Sequence, residues 1–131
     1  MIRRPQKAVR RAALPVACVL AMSIGAAAAQ DDAVSRANHM AYQLAMKCYV
    51  ASGVARGDNL DAGNTEYANI FEADARKAFD LAVKLGNVLG YSGSRQNQDF
   101  GMAEAQELPR FVKDKAYLKQ TLATCKAAGA I

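Results

Sequence analysis

Residues 39–50 read HMAYQLAMKCYV and hold the chain's single histidine, two of its five methionines and one of its three cysteines. His, Met and Cys are the side chains of haem and copper sites, so the first question is whether they can converge. In an α-helix each residue turns about 100° and rises about 1.5 Å. Cys48 is then two and a half turns from His39, on the opposite face. Met46 and Cys48 also point nearly opposite ways. His39 and Met46 share a face but are separated by about 10.5 Å along the axis, too far for one ion bound at about 2.0–2.4 Å to each ligand. The stretch is therefore read as part of a helix and not as a local metal site, with no metal and no cofactor expected.

Working outward, Val34, Ala37, Ala41, Leu44, Cys48, Ala51 and Ala55 recur at steps of three and four. This spacing predicts a helix over 31–55 with that stripe inward and His39 on its flank. Asp31 and Asp32 suit its start, and Gly57 with the polar run GDNLDAGN is expected to stop it. A second helix is predicted over 65–89, with Asn64 as N-cap and Phe71, Ala75, Ala78, Ala82, Leu85 and Leu89 inward. Its outer face carries Glu72, Arg76, Asp80 and Lys84 at four-residue intervals with alternating sign. Such a series reads as a solvated face of i,i+4 pairs rather than as catalytic carboxylates. GYSGSRQNQ breaks the pattern, a third helix is read over 97–108, and the exposed loop GYSGSRQNQDFG reaches into its first turn. Pro109 ends or kinks that helix or opens the next, and a last helix runs from 111 or 114 to 128, with Leu118, Leu122 and Cys125 inward. No stretch alternates in the manner of a strand. The expected fold is all-α, a compact antiparallel bundle of about four helices.

The first 29 residues read differently. Arg3, Arg4, Lys7, Arg10 and Arg11 form a positive start, an Ala-rich apolar run follows, and Ala27-Ala28-Ala29 offers a signal-peptidase site. This is the pattern of a cleavable secretory signal, with the cut placed between Ala29 and Gln30. Proline stands where a lipobox needs an aliphatic residue before Cys18, so a lipid anchor is not expected. The division is thus 1–29 signal peptide and 30–131 a single helical domain, periplasmic or secreted, with no stable membrane insertion after cleavage. Five of the 17 basic residues and none of the 12 acidic ones precede Gln30, so the remainder carries 12 of each and no net charge. Basicity belongs to the signal, and no nucleic-acid partner is implied.

Cleavage also leaves two cysteines, Cys48 and Cys125. An even pair in an oxidising compartment predicts a disulfide, joining the first helix to the last. For a single domain of about 100 residues, whose core is modest, such a staple is a large share of stability.

Motifs for chemistry are weak. His39 has no Asp or Cys one turn away on its face, which argues against nucleophilic catalysis. The tripeptide Arg56-Gly57-Asp58 reads as a cap and turn, and DNLDAGNTE places Leu60 and Ala62 where calcium ligands belong. Haem held between helices would draw on His39 or Met40 with Met102, but the last helix has neither His nor Met and no CxxCH attaches a porphyrin. The expected function is therefore non-enzymatic: a small exported binding module acting by protein–protein contact with another periplasmic protein, in the manner of an inhibitor, immunity-type or chaperone-like protein. The alternative is a carrier holding haem or lipid between its helices. Asp58 and Asp61 in the acidic run, and Tyr91 and Phe100 in the second loop, are the candidate partner contacts, the other role for the two aromatics being to fold back as a cap on the bundle.

Overall fold

The computed structural model describes the backbone of residues 17–131 and the side chains of residues 29–131. Most of the expected signal peptide lies outside the described residues; Ala29 and Gln30, flanking the expected cut, are exposed on a helix. The chain divides into two compact units, Met1–Asp32 and Ala33–Ile131. Four helices follow in order: α1 Ala17–Asp61, α2 Thr65–Val88, α3 Gly93–Lys113 and α4 Lys115–Ala127. No strand occurs among the described residues, and none of their helices is long and apolar enough to cross a membrane.

α1 is the axle of the second unit. Tyr42, Ala45, Met46, Cys48, Val50, Ala51, Ser52, Val54 and Ala55 are all buried. Those positions go right round the helix, so a single inward stripe is too narrow a description. One sector, Tyr42, Ala45 and Met46, packs on Ala82 of α2 and Phe100 of α3. A second, Val50, Ala51 and Val54, packs on Phe111 of α3 and Leu118 of α4. A third sets Cys48 against Ala78 of α2, Cys125 of α4 and Ala130. The upper end of the expected stripe fails for a related reason. Val34 and Ala37 are exposed, because α1 there extends past the α2–α3 turn, whose Tyr91 sits against His39.

The helix also continues where GDNLDAGN was expected to end it. Asn59 donates a side-chain hydrogen bond to the Ala55 carbonyl at 2.7 Å, and Asp58 pairs with Lys115 at 2.7 Å. The stop is Gly63, not Gly57. Gly63 adopts φ +76°, its N–H donates to Leu60, and the N–H of Asn64 donates to Asn59. This reciprocal closure needs a left-handed residue just past the helix, which glycine supplies without steric cost. α2 ends the same way at Gly90.

Asn64 does precede α2, but its side chain makes no capping bond. α3 begins four residues earlier than its apolar pattern indicates, because the Ser92 hydroxyl caps it by accepting from the Arg95 N–H at 3.1 Å. It runs through Pro109 to Lys113. Asp114 then opens α4, its carboxylate accepting from the Tyr117 N–H at 3.0 Å. α2 meets its neighbours through Ala68, Ala78, Ala82 and Gly86, small residues that let backbones approach. At Gly86 the approach is closest: an added Cβ would lie 2.6 Å from the Gln96 side chain. Gln96 is itself buried and donates to Asn87 and to the Tyr91 carbonyl, both at 3.0 Å, which fixes the α2–α3 turn.

Candidate functional site

Cys48 and Cys125 form the expected disulfide, with Cα atoms 5.7 Å apart and both residues fully buried. The bond belongs to the core and offers no thiol for chemistry. The remaining side chains of chemical interest gather in two places.

The first lies between α1 and α3. His39 Nδ1 is 2.8 Å from the Tyr91 hydroxyl. Tyr91 packs edge-on against Tyr42, with ring centroids 5.3 Å apart. The Arg95 guanidinium lies 3.6 Å from the centre of the Tyr91 ring. The fully buried Tyr42 donates to Asp99 at 3.0 Å, and Arg95 Nε approaches the same carboxylate at 3.5 Å. Burial, then the bond to Asp99, pushes the Tyr42 hydroxyl up to about 12, so it keeps its proton. His39, Tyr42, Tyr91, Arg95 and Asp99 each find a partner within the cluster. The arrangement locks the α2–α3 turn onto α1. His39 and Met102 line one cavity of about 510 Å³, whereas Met40 is 69% exposed. That cavity is also walled by Lys47, Arg95, Asp99 and Glu107, a charged lining unlike the apolar crevice of a haem or lipid site. Among the described residues no cluster of His, Cys, Asp and Glu has the makings of a metal site.

The second place is a groove of about 920 Å³ between α2 and α3, with α1 as its floor. The floor is Tyr49, Val50, Gly53 and Val54; Ala75 and Phe79 form the α2 wall and Leu108 the α3 wall. Its upper end is closed by three rings. Phe79 stacks on Phe100 at 5.0 Å and Tyr49 meets Phe100 edge-on at 5.4 Å. Below that stack no hydrogen bond or ion pair joins α2 to α3 among the described residues, and Gly53 of α1 is exposed between them. Phe79 remains 42% exposed and Leu108 46% exposed. The rim is charged. Glu72 takes Arg76 at 2.9 Å and Arg56 at 3.6 Å, and these two cations, the Arg76 hydrogen bond first, hold its carboxyl below the usual carboxylate range. Asp80 and Glu104 complete the rim.

The sequence-predicted contacts fall elsewhere. Phe100 lies within α3 and is 8% exposed; it is core, because α3 starts early enough to include it. Tyr91 is half-buried in the α1–α3 cluster. Both aromatics face the bundle, in the capping arrangement. Asp58 is on α1, not in a loop, and its carboxylate is committed to Lys115. Asp61 is exposed at the last position of α1. Arg56-Gly57-Asp58 is helical, with Arg56 turned to Glu72 and Asp58 to Lys115. The groove was missed because Phe79 looks like an ordinary flanking residue of an amphipathic helix. Its signal was the pairing of a large apolar side chain with charged neighbours at 76 and 80.

No protein-family model matches this chain, and neither a curated protein nor a solved structure matches it.

Proposed function

We propose that the chain is a small exported, non-enzymatic binding module that works by protein–protein contact, with the α2–α3 groove as its contact surface. The exposed ring of Phe79 beside a groove of apolar floor and charged rim carries the reading. Protein contact surfaces put an aromatic anchor at the centre and polar groups round it. A carrier would enclose most of its ligand, and this groove is open along its length between α2 and α3. Export rests on the arginine-rich start, the apolar run and Ala27-Ala28-Ala29, and a buried disulfide suits an oxidising compartment. The test is a photo-crosslinking phenylalanine analogue at position 79 in the exported protein, with the same analogue at Lys119, on an exposed part of α4, as control. A protein adduct at 79 and none at 119 is expected. Equal labelling at both, or none at 79, sinks the reading.

A further inference from the structure

The groove is bordered by the charge series on the outer face of α2. Glu72, Arg76, Asp80 and Lys84 stand four residues apart with alternating sign. Such a series can be satisfied within its own helix, but here only the first pair is, Glu72 with Arg76 at 2.9 Å. Asp80 and Lys84 form no ion pair among the described residues. The same series has a second property: read backwards, every sign is inverted. We propose that this face pairs with the same face of a second copy of the chain, antiparallel and about a two-fold axis. This rests on the reading that the protein works through contacts at this surface, and it names the partner.

An antiparallel copy centred between Arg76 and Asp80 sets Arg76 against Asp80 of the copy and Glu72 against Lys84 of the copy. Symmetry repeats both pairings, as an isologous interface requires. A parallel copy in register sets like against like. A parallel copy shifted by one turn makes pairs in one direction only and does not close. Residues four apart form a ridge inclined to the helix axis, and two such ridges run together when helices cross at about −50°, the commonest crossing in globular proteins. The groove opens along one side of this ridge. The pairing therefore brings the two grooves together and turns the exposed Phe79 of each copy toward the groove of the other.

Gly53 fits the same arrangement. It sits mid-helix in the groove floor, where glycine disfavours a helix relative to alanine. An added Cβ would meet nothing within 4 Å in this chain, so the fold itself does not need the residue to be small. A second copy approaching the floor supplies a reason. Exposed ion pairs contribute little each; they set register and orientation, while burial of Phe79 and its neighbour Val83 provides affinity. The chain beyond the signal has no net charge to oppose association.

The test is sedimentation equilibrium of the exported protein with three variants and a double variant. The parent should run as a dimer at about 100 µM, a concentration that detects even weak pairs. Phe79→Ser should weaken it by about tenfold or more. Arg76→Asp and Asp80→Arg should each shift the protein toward monomer, since each sets like charges face to face. The double variant Arg76→Asp/Asp80→Arg should recover the dimer, because its series still inverts on reversal. Far-UV circular dichroism confirms that the exposed substitutions leave the helices intact. A monomeric parent, or a double variant no better than the singles, overturns the proposal. A monomer whose position 79 crosslinks to a different protein overturns the second copy and leaves the groove reading standing; a monomer with no adduct ends both.

Discussion

The two sides of α1 are built to opposite rules. On the α4 side the chain is sealed: Cys48 and Cys125 are bonded, Phe111 is fully buried, and Ala51 and Leu118 close round it. On the α2–α3 side the helices touch at Gly86 and Gln96 and at the Phe79–Phe100 stack, then leave a groove. Both sides hold aromatic and aliphatic side chains in quantity. What differs is closure. The first side spends its apolar residues on stability, and the second leaves some of them in contact with water, at the edge of a charged rim. Apolar content alone therefore does not separate core from contact surface; the covering does.

The sharpest way to break the contrast is to remove the staple. A closed loop of 77 residues contributes about 4.5 kcal/mol on the chain-entropy estimate. Cys48→Ala, Cys125→Ala and the double change should each lower stability in urea by the same amount, since one bond is lost in all three. Far-UV circular dichroism should still show the helices. Unequal losses would mean that one cysteine has a role besides the bond.

Next comes a paired substitution that measures the two sides directly. Phe111→Ala opens a cavity in the sealed side and should cost about 4 kcal/mol. Phe79→Ala, with part of its ring already wet, should cost about 1–2 kcal/mol. If the two cost the same in denaturant titrations, the groove is not a distinct region.

A smaller effect concerns pH. The Tyr42 hydroxyl is raised from its ordinary 10 to about 12 in the folded chain. Its contribution is whole below pH 10, where the unfolded tyrosine is also neutral, and is lost as pH rises through 12. That window should show a loss on the order of 2 kcal/mol, and Tyr42→Phe should flatten that part of the stability profile. An unchanged profile would mean that Tyr42 ionises as freely folded as unfolded.

The smallest effect is a gain. The Ser52 hydroxyl is buried and has no hydrogen-bond partner among the described residues. Ser52→Ala removes an unsatisfied group and should leave stability unchanged or raise it by about 1 kcal/mol, read as a shift in thermal midpoint. A clear loss would reveal a partner for the hydroxyl.

Much of the architecture was legible in residue patterns. The helical class, the place of α2 and the Cys48–Cys125 bond follow from periodicity and from cysteine count. The misreadings share a cause. Gly57 looked like a stop because the residues after it are polar, yet Asn59 and Asp58 find partners in Ala55 and Lys115, one of them far away in sequence. GYSGSRQNQDFG looked like a loop because its glycines and polar residues outnumber its apolar ones, and the cap formed by Ser92 decided otherwise. The contacts that define the groove are between helices, and no window along one helix contains them. Phe79 and Phe100 meet across the α2–α3 pair that the Gly86–Gln96 contact holds together.

The closed side has one further consequence, in time rather than in energy. Both sulfurs are wholly buried, beneath Ala78 and Ala130. An external thiol must reach a sulfur in order to exchange with it, so reduction waits for the bundle to open. With dilute reductant the rate of bond loss follows the fraction of molecules that are open; with concentrated reductant it levels off at the opening rate itself. The disulfide of this protein is a clock for its own unfolding, readable without any label.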